Sequence, residues 1–368
     1  MKIAYISNSS APSHLPSSLQ IIKTCETLVK IKNHVHLIIP NTSKFKDTFQ
    51  NFYNIKHNFK ITKIKYYKKF PRGISYYTYS INAFSKVCFS YDLIISRNFF
   101  VIFLCCLINK KCVIELHHDI KTESQIVNFI YNKINIFNKK CLKIIAITKG
   151  VKEFYDKKFK LNKDKIVVVP SGSSLSLKFK NSLNIKKLNV GYFGSINYSK
   201  GIGIIQKLAR MDKDNNYYIF GGTNDQVSEL KCKNNSKNLK IHSHQNYKKL
   251  PKLLMSMDVL LMPYLKNITA AGNVSDITNF TSPLKLFDYM ESGKIIVSSE
   301  IKVLKEILKN KKNCIFIKNY NSPVSWFNEI KKIKNNVMMR NIIAKNSKKL
   351  AENFNHENRV KYYLQGFK

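Results

Sequence analysis

Six short runs recur through the first half of the chain: KIAYIS (2–7), HVHLII (34–39), YDLIIS (91–96), KCVIEL (111–116), KIIAIT (143–148) and KIVVVP (165–170). They are rich in β-branched residues and almost continuously apolar, the pattern of strands buried on both faces of a parallel sheet. Amphipathic stretches such as 17–30 and 126–138 lie between them. Strand and helix signals that alternate this way predict βαβ units, and hence an α/β fold with a doubly wound sheet. A polar stretch around 178–187 interrupts the pattern, which then restarts with LNVGYFG (188–194), YYIFGG (217–222), LKIHS (239–243), DVLLMP (258–263), KIIVSS (294–299) and NCIFIK (313–318). The pattern predicts two Rossmann-like halves joined near residue 180, without a short internal repeat. From 326 to 368 it is helical, and Pro323 in NSPVSW suits a helix start.

With 368 residues, the chain is long enough to bury two cores. Its formal charge of +41, from 63 basic and 22 acidic residues, admits two readings. Heavy use of Lys, Asn and Ile fits AT-rich codons; a basic surface fits a polyanionic partner, either an acidic membrane or a nucleic acid. The cysteines (25, 88, 105, 106, 112, 141, 232, 314) include no CxxC pair and mostly lie in apolar runs. They read as buried free thiols of a reducing cytosol. The opening MKIAYISNSS reads as a strand rather than a signal peptide. The longest apolar run, 99–108, is too short for a bilayer that needs about 20 helical residues.

The stretch SPLKLFDYMESGK (282–294) opens a helix with Ser282 and Pro283, carries Lys285 in the first turn and Asp288 one turn later, and stops at Gly293. A helix N-terminus favours negative charge, so a lysine there points to an anion shared between them. Asp288 is placed to accept hydrogen bonds from a sugar diol; the plainer reading is a Lys285–Asp288 surface pair. Lys200, between VGYFGS and GIGIIQKLARM, makes a second turn suited to phosphate oxygens. In IELHHDI (114–120) the strand alternation points His117 toward a cleft rather than the core. No metal-ligand set, P-loop or GxGxxG accompanies these residues, and the Ser/Pro-rich loop SNSSAPSHLPSS argues against a redox dinucleotide site.

In this order the segments resemble the family 4 retaining glycosyltransferases, and the likeness covers nearly the whole chain. ELHHD is similar to the acceptor-domain histidine segment, IIAITKGVKEFY…KIVVVPSGSS to the last strand–helix–strand before the linker, VGYFGSINYSKGIGII to the start of the donor-binding domain, and DVLLMPYL…TSPLKLFDYMESGKIIVSSEIKVLKEIL to the nucleotide-sugar site. The resemblance implies a GT-B fold, two Rossmann-like domains facing a central cleft. It implies an acceptor-binding domain at 1–180, a nucleotide-sugar-binding domain at 181–345, and a C-terminal helix, 346–368, packing back on the first domain. It makes His117 catalytic, near the reacting sugar and diphosphate. Gly194, Ser195, Lys200, Pro283, Leu284 and Lys285 then bind the donor, Lys200 and the Pro283–Lys285 turn at the diphosphate, and Asp288 falls where many members bind ribose through a glutamate.

The chain departs from the family pattern at two points. Many members have an acid eight residues before this glutamate, and Phe280 stands there; Asp276 in NVSDITNF is the candidate substitute if its loop folds in. Many also have an arginine where Ser195 stands, which leaves Lys200 as the main cation.

Lysines, Arg72 and tyrosines interleave over 53–79, and Lys65, Tyr66, Tyr67, Lys68, Lys69 and Arg72 form a candidate patch for an anionic membrane or the acceptor. The resemblance implies a metal-independent transferase without a cofactor, its donor a nucleotide sugar and its acceptor a lipid-linked or saccharide chain of a bacterial surface glycan. It implies a cytoplasmic protein peripherally associated with the inner membrane, with no nucleic-acid partner. A GT-B nucleotide-sugar epimerase, and a basic nucleic-acid- or membrane-binding protein without catalysis, are the competing readings.

Overall fold

The structure, a computed structural model, describes residues 1–67, 72–161, 164–180, 186–269 and 276–367, with only the backbone of Arg72. It divides into two compact units, Met1–Ser171 with His356–Lys368, and Gly172–Asn355.

The first unit holds seven strands: β1 (Lys2–Ile6), β2 (His34–Pro40), β3 (Lys60–Ile64), β4 (Leu93–Ser96), β5 (Cys112–Leu116), β6 (Leu142–Ala146) and β7 (Ile166–Val168). They form one sheet in the order β3-β2-β1-β4-β5-β6-β7, and every neighbouring pair is parallel. Each apolar run of the first half supplies a strand. The edge strand β3 was not among those predicted: its KITKI carries lysines between apolar residues, and only Ile64 is buried. One face of the sheet packs Tyr5, Leu37, Ile95, Val113 and Ile145 against Ile22 and Cys25 of the helix Pro16–Lys30, with Val360 and Tyr363 of the helix His356–Leu364 in the same core.

The second unit repeats this plan with β8 (Asn189–Phe193), β9 (Asn216–Phe220), β10 (Leu239–His242), β11 (Val259–Met262), β12 (Ile295–Ser299) and β13 (Ile315–Ile317). Its parallel order is β10-β9-β8-β11-β12-β13. Strand alternation sorts its core into two layers. Val190, Tyr192, Val259, Leu261, Ile295 and Val297 fill one face; Phe193, Leu260, Met262 and Ile296 fill the other. In both sheets the first strand has neighbours from both winding directions, β2 and β4 beside β1, β9 and β11 beside β8. Doubly wound sheets bind ligands at the carboxyl ends of strands near such a reversal.

The division falls after Ser171 rather than at 180, and the tail rejoins the first unit at His356 rather than at 346. Residues 173 to 177 are tied into the second unit, where Ser173 donates to Asp288 (2.6 Å) and the Leu177 amide donates to Glu291 (3.0 Å). The helix Val337–Ala351 runs through 346 and packs on the helix Leu284–Ser292.

Candidate functional site

The turn after β8 is built around glycines. Gly194 ends the strand at φ +149°, and a Cβ there would lie 2.5 Å from the Lys285 ammonium. Gly201 has φ +73°, and a Cβ there would meet the Pro263 carbonyl oxygen at 1.7 Å, so the 197–201 turn lies directly on the strand-end segment after β11. Asn197 caps this turn through the Lys200 amide, and the Leu265 amide donates to the Ser199 carbonyl (3.0 Å). Lys200 is buried; its ammonium donates to the Thr269 carbonyl (3.2 Å) and sits 5.0 Å from the centre of the Tyr264 ring. Ser195 contributes its carbonyl, which accepts from Tyr192 Oη (2.9 Å).

Lys285 converges on the same place from the helix Leu284–Ser292, which begins at Pro283 without a side-chain cap. Its ammonium is buried 3.9 Å from the centre of the Tyr192 ring and 5.4 Å from that of Tyr264, with no hydrogen-bond partner among the described residues. Burial, reinforced by the Lys200 charge, pushes Lys285 well below the ordinary lysine pKa, and burial brings Lys200 down to about 8. No carboxylate enters either balance. Aromatic faces attract cations, but they do not replace the hydration a buried ammonium loses. An anion placed between the two lysines would favour their charged forms.

Asp288 does not pair with Lys285. Buried on the next turn, it accepts from Ser173 Oγ, and burial raises its pKa to about 7. Asp276 is exposed and accepts from the Thr278 amide (2.8 Å), while its backbone bridges Thr269, whose carbonyl holds Lys200. Residues 270–275, between the two, lie outside the described residues.

His117 belongs to the first unit, just past β5. Its Nε2 bonds Glu115, a carboxylate with no exposed side-chain surface that also takes Arg97 (2.7 Å), Arg359 (3.0 Å) and the Tyr363 hydroxyl. Burial pushes the Glu115 carboxyl up, but Arg97, Arg359 and His117 outweigh it and hold it well below the usual range. Burial and the Arg97 charge bring His117 down to about 4, so the ring is neutral near pH 7. A carboxylate only accepts; Nε2 therefore carries the proton and Nδ1 the lone pair, which has no partner among the described residues.

Residues 19–177 match the family model described as Glycosyltransferase Family 4, and 174–350 match Glycosyl transferases group 1. The chain belongs to glycosyltransferase family 4. Solved structures give the GT-B fold: Anabaena HepE with UDP and glucose (TM-score 0.70, 14% identity, 100% of each chain) and sucrose-phosphate synthase from Thermosynechococcus elongatus (0.73, 13%, 99% of this chain and 98% of that one). WaaG, a glycosyltransferase of lipopolysaccharide biosynthesis, aligns at TM-score 0.65 and 12% identity over 99% of this chain and 100% of its own. The search of curated proteins returns no match.

In this glycosyltransferase the patch expected over 65–72 is described only in part. Lys65 lies 5.0 Å from the centre of the exposed Tyr67 ring, and Tyr66 neighbours Tyr79. Lys68 and Lys69 lie outside the described residues. The helix Arg72–Ser85 adds Ile74 and Ile81, both about half exposed and two turns apart on one face. Among the described residues no helix is long and apolar enough to cross a membrane. Sequence reasoning missed Tyr192, Tyr264, Arg97, Glu115, Arg359 and Tyr363. For Glu115 a signal existed: it is the one acid inside the apolar run KCVIEL.

Proposed function

We propose that this glycosyltransferase moves a sugar from a nucleotide-sugar donor to a lipid-linked or saccharide acceptor of a bacterial surface glycan. The observation that carries the proposal is the Lys200 and Lys285 pair, two buried ammoniums that no carboxylate offsets. Breaking the glycosidic bond of a nucleotide sugar builds negative charge on the departing diphosphate, and fixed positive groups lower that barrier. Lys200 and Lys285 supply the charge, and the uncapped amides at Leu284 add hydrogen-bond donors. Two lysines in these roles make the transfer metal-independent. Asp288, once ionised, accepts from the ribose hydroxyls, and His117 offers Nδ1 as acceptor to a hydroxyl of donor or acceptor sugar. Family membership supports retention of anomeric configuration. Lys65, Tyr67, Ile74 and Ile81 dock the first unit on the cytoplasmic face of an anionic membrane. UDP bound to HepE and the lipopolysaccharide role of WaaG support donor and pathway class.

Thermal unfolding with UDP, GDP, ADP, CMP and dTDP, each in excess, tests the donor site. A ligand at 100 times its Kd stabilises by about 2.7 kcal/mol. One base should stand out and its shift should vanish in Lys285→Ala; no shift with any nucleotide counts against the reading. His117→Ala should keep that shift and lose turnover. A new nucleotide sugar formed without acceptor would replace transfer by epimerisation.

A further inference from the structure

Four of the eight cysteines meet at the amino edge of the first unit's sheet. Cys105 and Cys106 end the helix Phe99–Leu107, Cys112 opens β5, and Cys141 immediately precedes β6. The backbone fixes their approach: the Lys110 amide closes the helix end on the Cys105 carbonyl (2.8 Å), and the Cys112 amide donates to the Cys141 carbonyl (2.9 Å). The sulfurs of Cys106, Cys112 and Cys141 all lie within 4.8 Å of one another, Cys106 and Cys141 at 4.0 Å. Cys112 is fully buried and Cys106 nearly so, while Cys141 is partly open to solvent. Cys105 also reaches the Cys112 thiol.

We infer that Cys106, Cys112 and Cys141 form a thiolate site for a soft divalent cation of the zinc class, unrelated to the transfer chemistry. Tetrahedral zinc–sulfur bonds of about 2.3 Å set sulfurs about 3.8 Å apart, so the observed triangle needs only a small contraction. Burial of thiols as small hydrophobes accounts for Cys25, Cys88 and Cys314, each apart from the others. It does not account for three sulfurs from three chain segments gathered around one point with a solvent-facing side. Three thiolates and a divalent ion leave one net negative charge. Lys165 stands beside it, donating to the carbonyls of Lys139 (2.7 Å) and Leu142 (2.9 Å), the latter next to Cys141. His117 follows the opposite end of β5, so the ion holds helix end, β5 and β6 together rather than touching substrate. Binding releases the thiol protons.

The test uses the full chain, completely reduced and desalted, with Zn²⁺ and separately Co²⁺ as probes. One Zn²⁺ per chain should survive desalting, and Co²⁺ should give a thiolate charge-transfer band. Cys141→Ser, at the solvent-facing ligand, should weaken Zn²⁺ binding by about 100-fold or more, since even loss of an outer-shell partner costs 10- to 100-fold. Cys106→Ser should act likewise, and Cys232→Ser, exposed and outside the cluster, should change nothing. No retained zinc after full reduction, or a cobalt band that persists in Cys141→Ser, overturns the inference.

Discussion

Two sheets wound in the same order carry buried positive charge at their carboxyl ends, and they neutralise it differently. In the first unit Arg97, Arg359, Tyr363 and His117 all close on Glu115. In the second, Lys200 and Lys285 share the Tyr264 ring, Lys285 also faces Tyr192, and neither meets an acid among the described residues. The first cluster carries its own carboxylate, so its residues position one another and fix the tautomer of His117. The second holds no acid of its own, and the proposed donor site rests on that difference. Equal burial of charge thus marks different roles according to whether the chain provides its own counter-ion.

The contrast breaks most visibly at Glu115. Glu115→Ala should destabilise the protein by about 3–5 kcal/mol in denaturant unfolding, because two buried arginines lose their shared carboxylate. Lys285→Met should do the reverse: melting temperature holds or rises, since a buried ammonium without a partner is removed. Its nucleotide affinity should fall roughly 10- to 150-fold in calorimetry, the value of a hydrogen bond to a charged group. A Lys285→Met protein that melts well below wild type would mean that the second cluster is structural too.

A smaller effect is the pH profile of nucleotide affinity. Asp288, raised to about 7, must lose its proton to accept from two hydroxyls, so binding should strengthen as pH climbs through about 7. Lys200, lowered to about 8, must keep its proton, so binding should weaken above that. The sign for stability is separate: with its folded pKa raised, Asp288 favours folding fully below its ordinary pKa, a contribution lost as pH rises through about 7. Titration calorimetry should give a bell whose acid limb flattens in Asp288→Asn. The smallest effect is at the surface. Each basic residue near an anionic bilayer contributes about 1 kcal/mol, so Lys65→Ala should lower sedimentation with acidic vesicles roughly five-fold at low salt.

Both sheets were legible in the sequence because strands buried on both faces are apolar nearly throughout, and twelve of the thirteen strands, all but the lysine-bearing edge strand β3, fall in the predicted runs. The turns that carry Lys200 and Lys285 were legible because glycine and proline leave local marks. The rings beneath them were not: Tyr192 lies within a strand run and Tyr264 just past one, and each looks like an ordinary core residue until the turns close over them. Asp288 shows the same limit, since helix spacing put it beside Lys285 whereas Ser173, far away in sequence, holds it.

The chain by itself determined the fold class, the two-unit plan and the two lysine-bearing turns of the second unit, because periodicity and turn chemistry are local properties. Only the tertiary structure decided which charges find a counter-ion: Glu115 gathers residues from β4's end and the final helix, while Lys200 and Lys285 gather no acid among the described residues. It decided also that Cys106, Cys112 and Cys141, without a metal-binding spacing, share one point in space. Side-chain convergence depends on strand order and register, and those are settled by how the whole sheet packs, not by any segment alone.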